Sequence, residues 1–135
     1  MSVSIHIDDL VKYNMTTGRP FWAYVLLEAI RDNASSVHYH PWLGDQALSR
    51  LVANESCVLT PPPLEWAETI VAAARSLLAP YRLSMWGGRR TLSGQFKLRF
   101  ENHSVDWAGV IWCAGSVNGV ELFRLSDRED DSTST

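Results

Sequence analysis

The spacing of the apolar residues changes at Pro80, and that change restricts what this chain can fold into more than any other feature. From Pro63 to Ala79 the pairs Trp66/Ala67, Ile70/Val71, Ala73/Ala74 and Leu77/Leu78 recur at helical spacing. Glu65 and Glu68 lie in the first turns and Arg75 late, as the helix dipole favours. Pro80 ends that helix. Beyond it, Phe96, Leu98 and Phe100 alternate with Gln95, Lys97, Arg99 and Glu101, a strand with one apolar and one charged face. Trp107, Ile111 and Cys113 share one side of the next run, with Ala108, Val110 and Trp112 on the other, which predicts a central strand covered on both faces.

Turn chemistry gives this half its expected connections. Asn118-Gly119 between Val117 and Val120 predicts a two-residue hairpin turn, since both central residues would need positive φ. That turn would set Arg124 opposite Cys113. A comparable turn at Asn102-His103 would set Phe100 opposite Val105, Leu98 opposite Trp107 and Phe96 opposite Gly109, aligning the apolar faces. Tyr81 to Trp86 reads as a further strand, closed off by Gly87-Gly88.

The N-terminal half is mixed. Val3, Ile5 and Ile7 alternate with Ser2, Ser4 and His6 as in a half-buried strand, with His6 on the polar side. Pro20 suits a first helical turn, and the Leu- and Ala-rich segment to about Asn33 predicts a largely buried helix. Val37 to His40 is strand-like and stops at Pro41. Asp45 can cap a short helix carrying Leu48, Leu51 and Val52, and Pro61-Pro62-Pro63 form an extended lead into the next helix. The expected fold is α+β, with an N-terminal strand and about two to three helices packed on one face of a C-terminal antiparallel sheet of about three to five strands. Residues 1–125 are expected to form one domain and 126–135 a disordered acidic, Ser/Thr-rich tail.

Composition excludes several classes. A chain of 135 residues with 46% hydrophobic side chains can build an ordinary core, and no run approaches the ~20 apolar residues of a membrane helix. Two cysteines, Cys57 and Cys113, cannot make a disulfide scaffold or a four-cysteine zinc site, and both are expected to be buried thiols. No basic, apolar leader precedes Asp8 and Asp9, so a cytoplasmic location is expected, in a small bacterial protein. The triplets beginning at Asn14, Asn33, Asn54 and Asn102 then read as turn and cap chemistry. The net charge of −3 conceals a basic centre: residues 69–100 carry six bases and no acid.

Candidate sites follow from these patterns. Trp42, in a Pro-containing loop, and Trp86, beside two glycines, have no core position assigned by pattern, whereas Trp22 and Trp66 fit helix faces and Trp107 fits the core by register. With Arg89 and Arg90 they make a candidate partner-binding set, as Trp and Arg are enriched at binding hot spots. Arg82, Arg89, Arg90, Lys97 and Arg99 form an alternative anion-binding set for nucleic acid or another polyanion. On an extended chain His38 and His40 point to one side and can grip one metal ion, with His6, Asp45, Glu55 or His103 as a further ligand. No phosphate loop, hydrolase elbow or metalloprotease motif is present, and no cofactor is expected. The expectation is a non-catalytic protein-binding domain of the inhibitor or immunity type. Polyanion binding through residues 82–99 is the first alternative, and a small metal-dependent enzyme using His38 and His40 the second.

Overall fold

The computed structural model describes residues 3–6, 18–86, 89–100, 103–114 and 117–129. Strand β1 (Val3–His6) precedes helix α1 (Arg19–Arg31). Three short strands follow, β2 (Ser36–Tyr39), β3 (Leu48–Val52) and β4 (Glu55–Leu59), with a 3-10 segment at Pro41–Gln46 after β2. A 3-10 turn at Leu64–Trp66 leads into α2 (Ala67–Leu78). The chain ends in β5 (Arg82–Trp86) and the long strands β6 (Arg89–Phe100), β7 (His103–Ala114) and β8 (Val117–Glu129). All eight strands join one sheet in the order β1-β6-β7-β8-β2-β3-β4, with β5 beside β1 on the same edge of β6. The described pairs are antiparallel except β1 with β6. No described helix is long and apolar enough to cross a membrane.

The α+β class stands, and the sheet is larger than expected. Leu48, Leu51 and Val52 belong to strand β3, not to a helix capped by Asp45. Three apolar residues in five fit either period, and pairing with β2 and β4 decides the matter. The tight positive-φ turn joins β3 to β4, where Ala53 (φ 52°) and Asn54 (φ 66°) are the two central residues. Asn118 and Gly119 instead lie within β8, opposite Cys113 and Trp112, and Arg124 lies opposite Trp107. The β6–β7 register is also two residues from expectation: Phe100 pairs with His103, Leu98 with Val105 and Phe96 with Trp107. A two-residue shift keeps every side chain on its face, so the apolar stripe survives it. Strand β8 continues past Leu125 to Glu129, so its backbone enters the stretch expected as a tail; residues 130–135 lie outside the described residues, as does the start of the chain at Ser2 and the Ile7 end of the first strand.

Both described helices cover one face of the sheet. Trp22, Leu26 and Ala29 of α1 and Ile70, Ala74, Leu77 and Leu78 of α2 are buried against Phe96, Leu98, Trp107, Ile111, Val120 and Leu122. The Trp22 indole donates to the Ile70 carbonyl at 2.8 Å, tying the helices together. Gly94 and Gly109 are paired across β6 and β7, and a Cβ on either would collide with Leu78. This pair forms the hollow that seats the end of α2, a reason for the observed register: the sheet places its two missing side chains at one level. At the other flank Arg50 of β3 reaches Asp32 and Glu28 of α1.

The opposite face carries no helix among the described residues. Register places Ser93, Val110, Glu121, His38, Ser49 and Val58 in one row across six strands on that face. Among the described residues strand β7 is therefore central but covered by a second layer on one side only, and Ala108, Val110 and Trp112 are partly accessible. This corrects the expectation of burial on both faces. Cys113 is buried, whereas Cys57, on the edge strand β4, is exposed.

Candidate functional site

The helix-free face gathers its chemistry where β2 crosses β8. Residues two apart on a strand point the same way, so Ser36, His38 and His40 stand together. Glu121 is directly opposite His38 in the β2–β8 pair. His40 Nε2 lies 3.2 Å from Glu121 Oε2, and His38 Nε2 lies 2.8 Å from Ser36 Oγ. One ligand atom from each of His38, His40 and Glu121 falls within 4.8 Å of the others. Burial lowers the His38 pKa below its ordinary value; Glu121 opposes that shift and His40 adds to it. His38 is therefore chiefly neutral near pH 7 and has a lone pair to give.

Aromatic rings frame this cluster. Trp42 stacks on His40 with centroids 5.1 Å apart and 24° between planes. Trp112 meets Trp42 edge-on at 5.0 Å and His40 at 5.8 Å. The Arg89 guanidinium sits 5.5 Å from the Trp112 ring centroid, within cation–π range. Gly119 makes the packing possible, because a Cβ there would lie 2.9 Å from the Trp112 ring and 3.0 Å from the His40 ring. On the other flank Phe123 touches His38 edge-on at 6.1 Å. It borders a recess of about 570 Å³ lined also by Tyr81, Arg82, Ser93, Gln95 and Val110. The sheet face thus runs continuously from Trp42 to Arg82.

The residues singled out in the sequence divide. Trp42 and Arg89 meet at Trp112, whereas Arg90, next along β6, has the opposite facing and is exposed beyond the helices. Trp86 pairs with Arg89 in the β5–β6 register. Its side chain lies outside what is described. Arg82 stands at the recess, opposite Ser93. Lys97 and Arg99 share the helix-free face but lie eight to ten residues along β6 from Arg89, so the basic segment does not converge on one spot. Lys97 is opposite Asp106. Of the further ligands considered for the histidine pair, His6 pairs with Arg99 at the distant edge, Asp45 and Glu55 are exposed in other segments, and His103 packs beside Phe100.

Glu121, Trp112 and Phe123 escaped the sequence reading. Their alternation with Val120 and Leu122 shows that Glu121 and Phe123 share a face. Nothing local says that β2 pairs with β8 about eighty residues away and brings His38 to Glu121. A larger recess, about 770 Å³, lies elsewhere, between α1 and the Pro61-Pro62 lead. Its lining is apolar apart from a few groups such as Glu28 and Thr69, so it offers little chemistry. No protein-family model matches this chain, and no curated protein matches it in sequence.

Proposed function

We propose that this chain is a non-catalytic protein-binding domain of the inhibitor or immunity type, and that it binds through the helix-free face of its sheet. The observation that carries the reading is the uncovered row of large side chains on that face. Phe123 is 38% exposed and Trp42 43%, around the half-buried Trp112, where the opposite face of the same strands is sealed. Exposed large aromatic side chains gathered on one face are a usual mark of a docking site. Arg82 and Arg89 flank it, which suits a partner whose apolar contact residues are bordered by carboxylates.

The experiment is site-specific photo-crosslinking in native cell extract from position 123 and, as control, from Tyr24 on α1, which is 66% exposed on the helical side. The captured protein is then purified and titrated. The reading expects a one-to-one complex formed from position 123 alone, weakened at least tenfold by Phe123→Asp and weakened by salt. Equal capture from both positions, or binding only to nucleic acid, would overturn it.

A further inference from the structure

We propose that His38, His40 and Glu121 form a binding site for a divalent transition metal, with zinc the ion that fits best. Two imidazoles and one carboxylate are a known zinc ligand set that leaves a fourth position for water. Neutral nitrogen donors also disfavour magnesium and calcium, which take oxygen ligands.

The geometry supplies what a chance pair of surface histidines lacks. All three ligands stand on adjacent strands, β2 with its immediate continuation and β8, so the sheet fixes their backbone positions. Their ligand atoms already lie within 4.8 Å of one another, close to the spacing of donors that share an ion at ~2.0–2.2 Å from each. Supporting contacts are in place as well. Ser36 Oγ holds one nitrogen of His38, the kind of outer contact that sets a ligating histidine's tautomer. His40 packs against both Trp42 and Trp112, and its side chain is only 19% exposed, which limits the water competing for the ion. Among the described residues, no other three His, Cys, Asp or Glu side chains come together in this way. The site does not depend on partner docking.

The test is calorimetric titration of the full chain with zinc chloride, in a Cys57→Ser background that removes the exposed thiol as a competing ligand. One zinc per chain is expected. His38→Gln and His40→Gln should each weaken binding by at least about 100-fold, and Glu121→Gln and Ser36→Ala by about 10-fold or more. His103→Ala should leave it unchanged. Imidazole nitrogen spectra of the unsubstituted protein keep the proposal testable if a variant misfolds: on adding zinc, the signals of His38 and His40 should move while those of His6 and His103 stay. No saturable one-to-one binding, affinity indifferent to His38 and His40, or shifts at His6 or His103 instead would each overturn the proposal.

Discussion

Along β6, Leu92, Phe96 and Leu98 are sealed on the helix-covered face, while their neighbours Thr91, Gln95 and Lys97 face outward with no second layer among the described residues. The same strands thus serve two environments. On the covered face, packing decides which residue fits, and glycine appears where a helix must approach. On the other, the chain places imidazole, carboxylate, indole and guanidinium groups side by side. Gly94 and Gly119 make the difference concrete: the first admits the backbone of α2, the second admits the rings of His40 and Trp112. One glycine shapes the core and the other shapes the site.

The largest break in this contrast should come from the covered face. Trp107→Ala empties a fully buried position and should cost about 3–5 kcal/mol, read from the denaturant midpoint. Trp107→Phe should cost much less, because the ring still fills most of the site and the Trp107 indole nitrogen has no hydrogen-bond partner among the described residues to lose. Next comes Gly94→Ala. Its Cβ would meet the Leu78 carbonyl, which as backbone cannot rotate away, so a loss of about 1–3 kcal/mol is expected.

Substitutions on the helix-free face should affect recognition more than folding. Gly119→Ala presses on two side chains that can turn, and less than about 1 kcal/mol should be lost. The stacking of Trp42 on His40 should nonetheless be disturbed, seen as changed tryptophan fluorescence and weaker zinc affinity. A Gly119→Ala variant as unstable as Gly94→Ala would erase the distinction between the faces.

The smallest effect is a pH dependence centred on His38. Its folded pKa is below the unfolded value, so the unfolded chain binds the proton more tightly. The stabilisation is complete above the ordinary histidine pKa of about 6.5 and is lost as pH falls from there through the lower folded value. Nuclear magnetic resonance titration should place His38 below that ordinary value, and His38→Gln should flatten this part of the stability profile. A His38 titrating above it would mean that the Glu121 carboxylate outweighs burial.

Much of the architecture was legible locally. Helix α2 followed from its three-to-four spacing and Pro80, helix α1 from Pro20 and its apolar run, and the faces of β6 and β7 from strict alternation. Strands β3 and β4 were not, because five residues are too few to fix a period and because Ala53-Asn54 lacks the glycine that usually marks such a turn. Asn118-Gly119 had the turn composition without the turn. Its glycine answers to the packing of two rings, Trp112 across the β7–β8 pair and His40 from far along the chain.

Local sequence, then, determined type and facing for the longer elements α1, α2, β6 and β7, since both follow from the periods of helix and strand and from proline's effect on its neighbours. It also showed that His38 and His40 share a side. Only the tertiary structure decided the pairing of β2 with β8, and with it the meeting of His38 and His40 with Glu121 and of Trp42 and Arg89 at Trp112. Strand order is set by how helices and strands from the whole length of the chain bury one core together, and no short stretch of sequence carries that information.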